Sequence, residues 1–352
     1  MHAAASAGAV QRVPEGFSYR TFGAAGTRMN DGLPTPPAHD GQAVFAAGSG
    51  RVRLVRNHEL DLDLPGVTRK ALGPRNAYDR AAPAGCTSSL YDLSSGRLLE
   101  SFLVLNGTLD NCSGAHTPWG SWLSCEETTD GVGAGYEKPH GYVFEVPSSS
   151  RGPVTPEPLK AMGRFEHETA PVDPATGIVY MTEDNGDPHW VDIDEPDPSD
   201  AEDNPGSVYS QGRAEGGCRF LGLEGSAWTV GGVTFVASEA GDSQKTLNQP
   251  DTVGVSPDGT VFLAEDGDGE DADGGDNWLR VLTPRGGIAN LARVIEPLDL
   301  HYWDPSDFPA PGPTGASELA GAAFTADGRH LFINVQYPGV TCVITGPWHL
   351  GV

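Results

Sequence analysis

The sequence predicts an all-β fold, a single six-bladed β-propeller with a metal site in its central channel. Three observations lead there: many short strand-like runs, an approximate internal repeat, and a metal-ligating residue type at the start of each repeat. The runs include "RVRLVRN", "TSSLYDL", "ESFLVLNG", "GSWLSCEE", "GYVFEV", "GVTFVASE", "TVFLAED" and "HLFINVQ". Clusters of Gly, Pro, Asp and Ser separate them, and helical periodicity is scarce. With 47 glycines and 29 prolines spread over 352 residues, the composition suits short strands joined by tight turns.

In chain order, residues 1–40 are small, polar and proline-containing and read as an irregular lead-in, leaving 41–352 as the propeller domain. Strand-rich stretches around 42–60 and 85–105 supply two blades. Four aligned segments supply the rest. They are Cys112 to Glu127, Glu168 to Asp184, Asp251 to Asp266, and Glu318 to Asn334. Each opens on a potential ligand, passes through an apolar strand and a glycine turn, and enters a second strand. Three of the four close on a carboxylate pair. A β-sandwich explains alternating strands but not a ligand-type residue at one place in every repeat. The insertions "DIDEPDPSDAEDNPGS" and "WDPSDFPAPGPTGAS" read as surface loops.

Lys and Arg number 22 against 48 Asp and Glu, a formal charge of −26. Such a chain repels phosphate backbones and anionic lipid, which argues against nucleic-acid or membrane partners and favours divalent cations. No stretch approaches the roughly 18 apolar residues of a membrane span. Five cysteines without a CxxC pattern make neither a disulfide framework nor a zinc knuckle. Cys86, Cys125, Cys218 and Cys342 sit in or beside apolar strands and read as core thiols. The start "MHAAASAGAV" lacks the basic and apolar regions of a signal peptide.

In a propeller, equivalent positions of the innermost strands converge on the axis. Cys112, Glu168, Asp251 and Glu318 are therefore expected at one site. Three carboxylates and a thiolate repel one another and resist desolvation unless cations offset the charge. Oxygen ligands suit calcium and a thiolate selects a transition metal such as iron, so the mixture points to two kinds of ion.

The segments "NCSGAHTPWGSWLSCEE", "RNHE", "GRFEHETAPVDPATGIVYMTED", "VSPDGTVFLAEDG" and "LFINVQYPG…ITGPW" together resemble the PhoX alkaline phosphatase family over roughly residues 50–350. The resemblance implies a six-bladed propeller exported by the twin-arginine route, hence periplasmic or extracellular. It also implies hydrolysis of phosphomonoesters by an iron pair, bridged by a cysteine thiolate, with calcium (Ca2+) beside ferric iron (Fe3+). On this basis Cys112 is the bridging thiolate, and Glu127 and Glu168 are metal ligands. Asp251 stands where larger members place a Glu within an Arg-Pro-Glu motif. Here the motif reads Gln249-Pro250-Asp251, so Gln249 replaces a catalytic, substrate-binding arginine. A neutral amide cannot make charge-assisted bidentate contacts to phosphate. Glu318 rests on the repeat.

Arg56 of "RNHE" and Arg164 of "GRFEHE" are the candidate phosphate anchors in place of that arginine. His58 and His167 precede glutamates in matching pairs, with a metal-supporting role or a buried structural one both open. Glu59 is a further carboxylate for the channel mouth. Ser88, Ser89, Ser113 and Ser124 have no evident His/Asp partners and read as structural. The acidic run at 265–278 misses the EF-hand spacing and reads as a solvated hairpin. The expected partner is a small phosphate ester, and the expected state a monomer. Two other functions fit a metal-lined propeller: a lactonase or esterase using one divalent ion, and a non-catalytic metal-binding module.

Overall fold

The computed structural model describes residues 10–11, 13–64, 66–184, 194–204, 207–214, 223–229, 231–237, 247, 249–266, 277–283, 287–294, 317–337 and 339–348. The strands are β1 (Val10–Gln11), β2 (Ser18–Phe22), β3 (His39–Ala46), β4 (Arg51–His58), β5 (Ala84–Asp92) and β6 (Arg97–Thr108). There follow β7 (Asn111–His116), β8 (Ser121–Glu126), β9 (Val143–Pro147), β10 (Leu223–Thr229), β11 (Gly232–Ala237) and β12 (Pro250–Val255). The series ends with β13 (Val261–Glu265), β14 (Trp278–Leu282), β15 (Ile288–Val294), β16 (Leu319–Phe324), β17 (His330–Val335) and β18 (Val340–Thr345). One short α-helix, α1 (Ser207–Ala214), accompanies them among the described residues. No helix there is long and apolar enough to cross a membrane.

The strands form five antiparallel sheets, ordered β3-β4-β5-β6, β7-β8-β9, β10-β11, β12-β13-β14-β15 extended by β1, and β16-β17-β18-β2. Between the second and third, the chain at 167–183 folds back on itself through two isolated bridges, His167–Glu183 and Val172–Val179. This is the propeller expected from the sequence. The described residues give five sheets rather than six, with 167–183 held by bridges where a sixth ladder would stand.

Six inner segments close the ring. A side-chain carbon on Gly41 of β3 would lie 2.6 Å from Ser113 Cα of β7, and one on Gly321 of β16 would lie 2.7 Å from Asp40 O. A side-chain carbon on Gly225 of β10 would lie 2.3 Å from Asp251 O of β12, and one on Gly254 would lie 2.7 Å from Ala322 O. Neighbouring inner strands thus approach backbone to backbone, which only glycine permits. Cys112 bonds to Glu168, and the Thr169 hydroxyl to that of Ser226, completing the circle.

Four junctions of the ring carry their own apolar layers. Val55 and Leu105 pack with Trp122 and Phe144; Leu54 and Tyr91 with Phe332 and Val343; Leu279 and Leu291 with Leu331 and Ile333. Leu123 and Val143 meet Ala170 and Val172. A sheet covered on both faces buries successive residues, which is why β4 is buried from Val52 to His58 instead of alternating. Each fully buried Leu, Val or Phe contributes about 1.5–3 kcal/mol relative to exposure.

Residues 10–40 differ from the irregular lead-in expected from composition. β1 pairs with β15, and β2 pairs with β18 from Phe22–Thr341 to Ser18–Thr345. The first stretch of the chain therefore completes sheets begun near its end. Part of the first insertion also packs down: Ala201 is buried, and Asp197 accepts from Tyr142 Oη at 2.7 Å and Lys160 Nζ at 2.8 Å. The second insertion apart from its last residue (Ser317), Cys218 and most of the acidic run lie outside the described residues.

The two faces of the ring differ. Inner strands end in short turns on one face, at 47–50, 117–120, 173–177, 256–260 and 325–329. Gly259 there has φ +87° with open space around it, so the turn's left-handed backbone, not crowding, calls for glycine. The opposite face holds the beginnings of the inner strands. The candidate site lies there.

Candidate metal centre

Each inner segment delivers a thiol or carboxylate near its start. Asp40 is the second residue of β3, Cys112 the second of β7, Glu224 the second of β10 and Asp251 the second of β12. Glu168 follows the bridged residue His167, and Glu318 precedes β16. The return strands add Glu59 just beyond β4 and Glu127 just beyond β8. Fixed register explains the convergence: His39 faces His58, Asn111 faces Glu126, and Pro250 faces Glu265.

Three overlapping triads result. Ligand atoms of Asp40, Glu59 and Cys112 lie within 4.8 Å of one another, as do those of Cys112, Glu127 and Glu168, and those of Glu168, Glu224 and Asp251. Cys112 joins the first two and Glu168 the last two. The Cys112 thiol donates to Glu168 Oε2 at 2.8 Å. Glu318 belongs to none of the triads, yet Asp266, Asp40, Asp251 and Glu59 all raise its pKa after burial has done so.

Burial and mutual repulsion act in one direction throughout. Desolvation pushes Asp40, Glu127 and Glu168 well above the usual carboxylate range, and neighbouring acids add to it. Glu59 rises to about 7, mainly through burial, while accepting a hydrogen bond from Gln336 Nε2. Asp251 rises to about 8, through burial and then Asp266. The Cys112 thiol is driven well up by burial and by Asp40, Glu168, Glu127 and Glu59. Two buried oxygens, Asp40 Oδ1 and Glu168 Oε1, have no hydrogen-bond partner. A bare acidic cluster of this kind is costly. Cations fit it: they satisfy the orphaned oxygens and let the acids and thiol shed their protons.

The histidines turn out to be anchors. His58 Nδ1 bonds Pro37 O at 2.8 Å and its Nε2 bonds Thr87 Oγ1 at 2.8 Å. His167 Nε2 bonds Gly163 O at 3.3 Å, and His39 Nε2 bonds Pro36 O at 3.0 Å. All three are fully buried, and each immediately precedes a clustered carboxylate. Burial lowers their pKa, that of His167 to about 3, so the rings are neutral supports.

Neither arginine reaches the cluster. Arg56 is buried between two sheets, donating to Thr341 Oγ1 of β18 at 2.5 Å and Thr87 Oγ1 of β5 at 3.2 Å. Burial lowers its pKa to about 9. Arg164 donates to His140 O and Thr129 O, both at 2.7 Å. Gln249 is exposed, with φ +44°, and its carbonyl accepts from Asp266 N at 2.9 Å. Of the serines, Ser88 accepts from Arg53 and Ser124 donates to Asn57, consistent with structural roles. Cys86, Cys125 and Cys342 are buried free thiols.

Two members of the cluster, Asp40 and Glu224, escaped the sequence reading. Glu224 lies 56 residues after Glu168, the interval that also separates Glu168 from Cys112, and it opens the same strand–Gly-turn–strand pattern. Asp40 opens "DGQAVFAAGSGRVRLVRNHE", which closes on Glu59.

A family model for alkaline phosphatase PhoX matches residues 75–191 and 226–339, more than half of the chain. The chain belongs to the PhoX family. The family matches span Cys112, Glu127, Glu168, Asp251 and Glu318. Among solved structures, Pseudomonas fluorescens PhoX in complex with vanadate, a transition state analogue, aligns over 97% of each chain with 15% identity and a TM-score of 0.64. At that identity the likeness to this PhoX structure concerns the fold. A luciferin-regenerating enzyme (94% of this chain, 96% of that one, 10% identity, TM-score 0.42) is more distant. So is a gluconolactonase from Xanthomonas campestris (96% and 99%, 12% identity, TM-score 0.34). A search of curated proteins gives no match.

Proposed function

We propose that this PhoX-family propeller is a phosphoric monoester hydrolase whose iron and calcium ions are held by the overlapping triads, with Cys112 as the iron-bridging thiolate. The observation that carries the reading is the sharing of Cys112 and Glu168 between triads, so that cations held there would have common ligands. A soft sulfur amid carboxylate oxygens favours a transition metal at Cys112, with calcium toward the all-oxygen triad of Glu168, Glu224 and Asp251. The cations supply Lewis-acid neutralisation of charge developing on the phosphoryl group.

The chain's own residues do the rest. Asp40, Glu59, Glu127 and Glu224 hold charge at the channel, and cation binding requires Cys112 and the raised carboxylates to lose protons. His39, His58 and His167 fix the backbone beside Asp40, Glu59 and Glu168 through the bonds described above. Gln249 offers a neutral amide at the surface, so phosphate affinity must come from the cations. Arg56 serves to tie two sheets together and is given no phosphate contact. The substrate proposed is a small phosphate ester. An exported, periplasmic or extracellular setting follows from the family resemblance alone.

The test is hydrolysis of p-nitrophenyl phosphate by protein purified without added metal, before and after calcium chelation. Turnover that falls on chelation and returns with calcium supports the reading. Gln249 favours a second possibility, a propeller that holds metal without turnover. Bound metal with no hydrolysis of phosphomonoesters would establish that alternative.

A further inference from the structure

Two members of the first triad sit where their own sheets hold them least. Antiparallel register slips between Asn111 and Gly114 on β7, and between His39 and Gln42 on β3. Cys112 and Ser113 stand in the first slip, Asp40 and Gly41 in the second. A bulge re-aims a side chain but takes its backbone out of the regular ladder. Something besides the ladder must then fix where the thiol and the carboxylate point.

At each place one asparagine from the neighbouring sheet does so. Asn57 of β4 donates through Nδ2 to Cys112 O at 3.1 Å and to Ser113 O at 2.7 Å. Asn334 of β17 donates through Nδ2 to Asp40 O at 2.5 Å. Both are fully buried. Their places correspond: each lies on the second strand of its sheet, two residues before Glu59 and Gln336 respectively, and Gln336 donates to Glu59. Glycine clears the space. A side-chain carbon on Gly41 would lie 2.9 Å from Cys112 O, and one on Gly321 would lie 3.0 Å from Asn334 Nδ2.

Donors that cannot accept fix the orientation of each amide. Trp122 Nε1 donates to Asn57 Oδ1 at 2.8 Å, and an indole N–H has no acceptor role. The Asn57 NH2 group therefore faces the two carbonyls, while Ser124 Oγ and Cys86 Sγ donate to the same oxygen at 2.9 and 3.1 Å. Arg56 plays the matching part for Asn334. Its guanidinium donates to Thr341 Oγ1, so the Thr341 hydroxyl gives its own proton to Asn334 Oδ1 at 2.6 Å.

We propose that Asn57 and Asn334 are positioning residues of the metal centre, aiming Cys112 and Asp40 at a shared cation. The inference deepens the proposed centre and rests on cation binding at Cys112, not on phosphate hydrolysis.

Cobalt(II), added to the full chain after chelation, is the probe, because sulfur ligation gives a thiolate-to-cobalt charge-transfer band. The wild type should show the band and Cys112→Ser should not. Asn57→Leu and Asn334→Leu keep the side-chain size and remove the amide. Each should weaken cobalt binding about tenfold or more, and Asn57→Leu should also shift the band. Asn106→Leu controls for the mere loss of a buried amide. Asn106 is equally buried and donates to Gly73 O and Arg75 O, both at 2.8 Å, bracing a stretch that carries none of the clustered ligands. Its variant should melt earlier yet keep the cobalt affinity and band of the wild type. Should Asn57→Leu fail to fold, Trp122→Phe removes one donor that orients the amide and should weaken cobalt about threefold. Folded asparagine variants that bind cobalt as the wild type does, or an equal loss in Asn106→Leu, would overturn the proposal. So would a wild-type chain without the thiolate–cobalt band. Cobalt bound through Cys112 and weakened by both asparagine variants, with no ester hydrolysis, would end the phosphatase reading and leave this one standing.

Discussion

Cys112 donates its thiol proton to Glu168 while Asp40, Glu59 and Glu127 crowd around it, so its conversion to a thiolate depends on a cation. Cys112→Ser keeps the volume and removes the soft ligand. Iron retention should fall more than tenfold in this variant, read by elemental analysis, while calcium held by carboxylates alone persists. Gln249 supports the converse prediction. Gln249→Arg adds a charged, bidentate donor at the rim, and a charge-assisted hydrogen bond contributes about 1.5–3 kcal/mol. The KM for p-nitrophenyl phosphate should drop at least tenfold in steady-state assays; an unchanged KM would show that residue 249 does not meet the phosphate. Individual residues were legible where the repeat was regular. Cys112, Glu168, Asp251 and Glu318 were found by register, whereas Asp40 was hidden in a proline-rich stretch and Glu224 by a gap of only 27 residues to Asp251. Arg56 misled because sequence adjacency to Glu59 does not place two side chains on one face of a strand.

The strands themselves were readable from turn residues and apolar runs. Their partners were not, because pairing in a closed ring joins segments distant in sequence. β2 is the clearest case: nothing in "SYRTF" announces that it pairs with β18, more than three hundred residues away. That pairing gives a prediction. Removing residues 1–22 exposes the edge of β18 and should lower the unfolding midpoint by several degrees and promote association, measured by thermal melts and light scattering. A second element-level device stands beside the cluster. His140 Nδ1 bonds Glu126 Oε1 at 2.7 Å, and its Nε2 lies 3.4 Å from Asp79 Oδ2, all three fully buried. Glu126 also accepts the backbone N–H groups of Leu109, Gly141 and Tyr142. These bonds brace the end of β8, where Glu127 begins. Burial opposes charge on His140, but Glu126 and Asp79 outweigh it and hold its pKa up at about 9. His140→Ala leaves buried carboxylates without their cation and should destabilise the fold by about 3–5 kcal/mol in denaturant melts.

On the scale of the whole ring, the closed array of sheets concentrates acids at one end of its axis, and this makes stability depend on pH and metal together. Glu59 at about 7 and Asp251 at about 8 lie above their ordinary values of 4.5 and 3.8, because burial disfavours their charged forms. Their contribution to metal-free stability is complete below the ordinary values and is lost as pH rises through about 7 to 8. His140, raised from 6.5, acts in the same sense, its contribution fading as pH passes through about 9. Melts of metal-free protein should therefore show a falling midpoint between about pH 5 and about pH 9, and bound cations should flatten or reverse that slope. The measurement that bears most directly on the centre is elemental analysis of the wild-type chain beside Cys112→Ser and Glu168→Gln, purified without added metal. Iron with calcium in the wild type, iron lost from Cys112→Ser, and both reduced in Glu168→Gln is the expected pattern. Wild-type protein without a transition metal, or iron content indifferent to Cys112, would contradict a centre built on Cys112 and Glu168.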